Sequence, residues 1–224
     1  MRMRDFIRRL RGTLFVEAVI VFSLLFSASG FAASKTGRKS FVKTPKRAVI
    51  LVGDSRVRHM VDGASSKSRK DFCLVWASGY GIGHLKSNGG GLRTNLLRAM
   101  KKYPSATVVF MLGVNQNSAK SDGARLKVYD SFIKSKKYGK HQFIVSTVGK
   151  TVGLRGNYAN SRVKDFNRKI KAHYACRADV RVYDLYAFLD GRIRTRKDTR
   201  NGDGLHYKSG TLSLILQDLR RFTG

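Results

Sequence analysis

Five short apolar runs set the main constraint on this chain: Ala48–Val52, Phe72–Ala77, Thr107–Leu112, Gln142–Val148 and Val180–Leu185. Each is rich in Val, Ile, Leu or Phe and too short for a helix, which is the pattern of a strand buried on both faces. Helical periodicity fills the intervals. Leu92, Leu96, Leu97 and Met100 share one face, as do Leu126, Tyr129, Phe132 and Ile133. Val163, Phe166, Ile170 and Tyr174 form a third face, and Leu212, Ile215, Leu216 and Leu219 a fourth. Strands that alternate with helices require crossover connections. The pattern therefore predicts a parallel sheet inside a three-layer α/β/α domain. No internal repeat is visible, so residues 46–224 read as one catalytic-sized domain of a 224-residue chain.

The N-terminus has a different grammar. Arg2, Arg4, Arg8, Arg9 and Arg11 precede an apolar run from Leu14 to Phe26, followed by small residues. Basic, apolar, small is the order of an export signal. Residues 1–32 are expected to be a signal peptide or a membrane anchor, with Gly30-Phe31-Ala32 as one cleavage end and Ala28-Ser29-Gly30 as another. Glu17 interrupts the apolar run, and Gly12-Thr-Leu-Phe-Val-Glu17 also has the form of a prepilin-type signal. Residues 33–45 follow as a basic linker.

Acids are scarce: Lys and Arg number 45 against 14 Asp and Glu, a formal charge of +31, and Glu17 is the one Glu. That excludes an HExxH metalloprotease, an EF-hand closed by Glu and a glycosidase built on paired Glu. Two cysteines, Cys73 and Cys176, cannot make a zinc ribbon or a disulfide framework, and both are expected as free buried thiols. His84, His141 and His173 have no Cys or carboxylate at metal-ligand spacing, so no metal and no cofactor are expected.

In an open α/β sheet, chemistry collects beyond the carboxyl ends of the strands. Gly53-Asp54-Ser55-Arg56 follows the first run, and Ser78-Gly79-Tyr80-Gly81-Ile82-Gly83 the second. Gly113-Val114-Asn115-Gln116-Asn117 follows the third, and Asp203-Gly204-Leu205-His206-Tyr207 precedes the last helix. These are the parts of an acyl-transfer site. Ser55 is a weak nucleophile until a base takes its proton; His206 can be that base, and Asp203 can fix its tautomer. The Ser55 N–H, the Gly81 N–H and the Asn115 amide can hold an oxyanion. Arg56, Tyr80, Asn117 and Tyr207 are candidates for substrate binding. Asp54 reads as a structural carboxylate at the strand end. His59, one turn beyond Ser55, can line the site or lie on the surface.

These four blocks, in this order over residues 53–207, resemble the SGNH (GDSL-like) hydrolases. The segment Asn160–Asn167 is similar to small bacterial members. Three positions depart from the family pattern: Arg56 replaces a Leu, Gln116 an Asp, and Trp76 an Asn. The resemblance implies a five-stranded parallel sheet of order 2-1-3-4-5 in a flavodoxin-like arrangement. It also implies a serine esterase using Ser55, His206 and Asp203. Cys73 and Cys176 would then flank opposite edges of the sheet, too far apart to bridge.

Removing residues 1–32 takes away five Arg and two acids and leaves +28. Strongly basic chains attract polyanions. The expected partner is an acylated carbohydrate or an anionic cell-envelope polymer, met outside the cytoplasm. No nucleic-acid motif or aromatic-interleaved basic stripe is present, so nucleic acid is not expected. Membrane contact is expected only through an uncleaved N-terminal segment. The reading is a secreted or envelope-attached esterase removing short acyl groups, acetyl foremost. Its rivals are a lipase or thioesterase of the same family and a non-catalytic polymer binder.

Overall fold

The computed structural model describes residues 49–86, 90–115, 121–135 and 141–224. The export segment, the linker, Gln116 and Asn117 lie outside the described residues. Five strands form one sheet: β1 (Val49–Gly53), β2 (Phe72–Trp76), β3 (Thr107–Met111), β4 (Phe143–Ser146) and β5 (Val180–Tyr183). Their order is β2-β1-β3-β4-β5 and every pairing is parallel, as the family resemblance implied.

β1 to β4 are buried on both faces, while β5, at the sheet edge, exposes Arg181; the side chains divide with the period of two that a pleat imposes. Ile50, Val52, Cys73, Val75, Val108, Phe110, Phe143 and Val145 point into one apolar cluster. Val49, Leu51, Phe72, Leu74, Val109, Met111 and Ile144 point into the other. The first cluster is closed by α3 (Gly90–Lys102), α4 (Asp122–Ile133) and α5 (Asn160–Tyr174) through Leu92, Leu96, Leu126, Tyr129, Val163 and Phe166. The second is closed by α1 (Ser55–Gly63), α6 (Leu185–Leu189) and α7 (Ser209–Thr223) through Val57, Met60, Leu185, Leu212, Ile215 and Leu219. A short helix, α2 (Ser66–Arg69), joins α1 to β2. Each fully buried Leu, Ile or Phe contributes about 1.5–3 kcal/mol of transfer free energy, so the two clusters dominate the fold's stability. The four helical faces expected from the sequence all pack inward; only Leu97 remains half-buried.

Sheet order decides where the site forms. Gly53 lies opposite Trp76 of β2 and Met111 of β3, so the turns that leave β2, β1 and β3 emerge side by side.

Candidate active site

Ser55 is the first residue of α1, directly after β1. Asp54 is the N-cap; its backbone is extended and its buried carboxylate accepts the Arg56 N–H at 2.9 Å. Burial pushes the Asp54 carboxyl above its ordinary range, against the opposing pull of the Arg56 guanidinium and N–H. Asp54 thus shapes the turn that presents Ser55, in keeping with a structural role.

The loop Asp203–His206 is built by its own short polar side chain. Asp203 Oδ1 accepts the backbone N–H groups of Leu205 and His206, each at 2.8 Å. Thr199 Oγ1 accepts the Gly204 N–H at 2.9 Å, and the Arg200 N–H donates to the His206 carbonyl at 2.7 Å. Gly204 has φ +76, and a Cβ there would stand 2.2 Å from the Val152 carbonyl oxygen. Only glycine satisfies both conditions.

These two segments meet. Ser55 Oγ lies 2.9 Å from His206 Nε2, and His206 Nδ1 lies 2.6 Å from Asp203 Oδ2. With the proton on Nδ1, the ring donates to Asp203 and accepts from the Ser55 hydroxyl. Partial burial tends to raise the Asp203 pKa, but the N–H groups of His206 and Leu205 and the His206 ring outweigh it and hold it below the ordinary carboxylate range. Asp203 is therefore ionised at neutral pH and suited to stabilising an imidazolium.

Gly81 and Asn115 sit on adjoining turns. A Cβ on Gly81 would meet the Asn115 carbonyl oxygen at 2.8 Å, so this contact too requires glycine. Asn115 Nδ2 donates to the Tyr80 carbonyl at 3.2 Å, and its Oδ1 accepts from Tyr158 Oη at 3.5 Å. The Gly81 N–H points to His84 Nδ1 at 3.2 Å, and His84 stacks on Tyr80 with centroids 4.0 Å apart. Each donor has a protein acceptor in this structure.

One substrate-binding candidate, Arg56, is corrected by burial, and a second, Tyr207, is buried but lines a cavity beside α7. Arg56 is only 3% exposed. Its Nε donates to the Leu205 carbonyl at 3.2 Å, its Nη1 donates to the Gly149 carbonyl at 3.1 Å, and the guanidinium lies over the Tyr207 ring. Tyr207 is equally buried and donates from its hydroxyl to the Lys150 carbonyl at 2.9 Å. Both residues hold loops together through these bonds. Cys176 is also corrected: Cys73 is buried but Cys176 is exposed, and both are free thiols.

Three further side chains support the site; of these the sequence marks His59 as able to line the site, places Asn167 in a family-like segment and does not mark Arg200. His59 places its ring edge-on to His206, with centroids 4.5 Å apart, and its Nδ1 accepts from Arg200 Nη1. Burial, reinforced by the neighbouring His206, Arg200 and Arg58, lowers the His59 pKa and keeps the ring neutral at neutral pH. Asn167 grips Val148, accepting its N–H at 2.7 Å and donating to its carbonyl at 2.8 Å, and so fixes the chain just before Gly149. An amide on the otherwise apolar face of Val163, Phe166 and Ile170 was the available signal for Asn167. Nothing local marked Arg200. Among the described residues no three His, Cys, Asp or Glu side chains are grouped to hold a metal ion.

The architecture and the order of its strands define the SGNH hydrolase fold. Solved structures with this fold include a lipolytic G-D-S-L family protein from Veillonella parvula, 16% identical, covering 79% of this chain and 97% of its own, TM-score 0.57. An acetyl xylan esterase variant from Geobacillus stearothermophilus is 14% identical, covering 81% and 96%, TM-score 0.58. The catalytic domain of a Streptococcus pneumoniae peptidoglycan O-acetyltransferase is 11% identical, covering 81% and 93%, TM-score 0.57. No protein-family model and no curated protein matches the chain.

Proposed function

We propose that the chain is an SGNH-type serine ester hydrolase that removes short acyl groups, acetyl foremost, from a carbohydrate or cell-envelope polymer. The carrying observation is the Ser55–His206–Asp203 chain of contacts at 2.9 and 2.6 Å. In this reading His206 Nε2 takes the Ser55 proton as Oγ attacks the acyl carbonyl. The Ser55 and Gly81 N–H groups and Asn115 Nδ2 receive the oxyanion, each such donor contributing about 3 kcal/mol to the transition state when well aimed. For Gly81 and Asn115 the acyl oxygen replaces His84 Nδ1 and the Tyr80 carbonyl as acceptor. The imidazolium, stabilised by Asp203, then protonates the departing alkoxide. Water repeats the sequence on the acyl-serine and releases the acid.

Short acyl groups on a polymer are favoured by the basic charge and by the acetyl-transferring or acetyl-removing neighbours of the same fold. The N-terminal pattern favours an exported enzyme that works in the envelope or outside the cell. A series of nitrophenyl esters of rising chain length, hydrolysed by wild type and by Ser55→Ala, tests the proposal. Acetate is expected to be the best substrate and Ser55→Ala to be inactive on all. Preference for long chains would favour a lipase, and hydrolysis of none a binding protein.

A further inference from the structure

Between α6 and the His206 loop runs a segment containing Arg192, Arg194, Arg196, Lys197 and Arg200, all exposed. Of its two acids, Asp190 pairs with Lys150 at 2.5 Å, and Asp198 is taken up by the backbone N–H groups of Arg194 and Thr195 at 2.9 and 2.8 Å. None of the five cations forms an ion pair with a carboxylate among the described residues. The opposite layer behaves differently. There Asp122 is shared by Arg125, Arg162 and Lys169, and Asp130 by His173 and Arg177. The uncompensated guanidinium groups are also held in place. Arg192 Nη1 donates to the Phe188 carbonyl, Arg194 Nε to Gly191, and Arg196 Nε to Gly202, at 2.5, 3.0 and 2.6 Å. A guanidinium has five N–H donors, so one anchoring bond leaves donors for a ligand.

The segment ends at a cavity of about 500 Å³ whose lining includes Asp62, Arg200, Asn201, Tyr207, Lys208 and Ser209. Arg200 connects this cavity to the catalytic centre through His59, whose ring abuts His206. The cavity lies on the α1 and α7 side of the sheet, where Met60 and Leu212 pack. Ile82 and Val114, which adjoin Gly81 and Asn115, pack on the other side. The residues beside the donors for the acyl oxygen and those beside the cavity thus pack on opposite faces of the sheet. The proton for the leaving alcohol comes from His206, so the alcohol part of an ester belongs on the cavity side.

We propose that this cavity and the basic segment leading to it bind the alcohol part of the substrate, an acylated polyhydroxyl polymer bearing carboxylate or phosphodiester groups. The identity of the alcohol rests on the esterase reading; the binding of the polyanion does not. Asp62 tempers the charge of the cavity itself, where Arg200 and Lys208 leave an excess of one cation.

The test separates the two claims. Full-length Ser55→Ala protein is titrated into fluorescent polygalacturonate and, separately, polyglycerol phosphate, with and without Lys197→Gln/Lys208→Gln. The pair is expected to weaken binding at least tenfold and to flatten the salt dependence by about two released counterions. The polymer held more tightly identifies the anion. Lys101→Gln/Lys127→Gln, on the opposite layer, is expected to leave binding within twofold. Equal weakening by both pairs, binding of neither polymer, or equally strong binding of duplex DNA overturns the proposal. In the active protein, the Lys197/Lys208 pair is expected to lower kcat/KM on O-acetylated polygalacturonate at least tenfold relative to 4-nitrophenyl acetate. Failure of the wild type on every ester would end the esterase reading, while the titration would still decide the binding site.

Discussion

Arg56 Nε donates to the Leu205 carbonyl at 3.2 Å, tying the residue after the candidate nucleophile to the residue before its base. Its second bond, to Gly149, brings in the loop after β4. Arg56→Leu removes both donors and leaves two carbonyls in a buried setting, at a cost of about 1–3 kcal/mol each where no water replaces them. We expect a lower Tm and a fall in kcat of tenfold or more on a small neutral ester and on a polymer alike. Urea melts and parallel kinetics check this. A rise in KM on the polymer alone would return Arg56 to the substrate.

Gly204 and Gly202 offer a paired test of the loop. Both have positive φ, +76 and +65. A Cβ at Gly202 would meet nothing closer than the Arg196 carbonyl at 3.9 Å, whereas at Gly204 it would collide with Val152. Gly202→Ala is expected to cost about 1–2 kcal/mol, the left-handed penalty alone. Gly204→Ala should cost more and displace His206, so that activity is lost along with stability. Equal effects in denaturant melts and ester assays would remove the Val152 contact from the account.

The sheet and its helices were legible because each strand is a short, mostly apolar run, broken in β5 by the exposed Arg181, and the four long helices after β2 each have one apolar face. Ser55, Asp203 and His206 were legible because glycine turns at strand and helix ends leave few places for a nucleophile, base and carboxylate. Arg56 and Tyr207 were not. Their burial arises where loops after β1, β4 and α6 converge, a long-range packing event without local periodicity. A charged or phenolic side chain in a turn reads as exposed until the chain that covers it is known. Cys176 failed in the opposite sense: it lies in the turn that ends α5, past the buried Tyr174 and before β5, where no packed face covers it.

The two thiols should differ sharply in reactivity. Burial pushes the Cys73 thiol up to about 12, while Cys176 is exposed. A thiolate reagent at neutral pH is expected to label Cys176 in the folded protein and Cys73 only after denaturation. Peptide mapping distinguishes them, and an intramolecular disulfide would contradict the sheet order.

Stability should respond to acid in two opposed ways. Asp179, Asp184 and Asp203 are held below the ordinary carboxylate value of 3.8 in the fold. Each contributes stability that is complete above 3.8 and is lost as pH falls through its lower folded value. Asp54 is raised by burial, so its charged form disfavours the fold at neutral pH and the penalty disappears by 3.8. Asp54→Asn, which keeps an N-cap acceptor, is expected to be more stable than wild type at pH 7 and to lose that advantage as pH approaches 3.8. Melting curves at stepped pH check the sign; a constant difference would refute it.

The central claim is that Ser55 is a nucleophile activated by His206. Mass spectrometry after exposure to a sulfonyl fluoride tests it most directly. The account predicts one adduct, on the peptide carrying Ser55, with ester hydrolysis lost in proportion to labelling. It predicts slow or no labelling in His206→Ala and none in Ser55→Ala, whose kcat should fall by a factor on the order of 10⁴–10⁶. An adduct on another residue, or hydrolysis that survives Ser55→Ala, would contradict it.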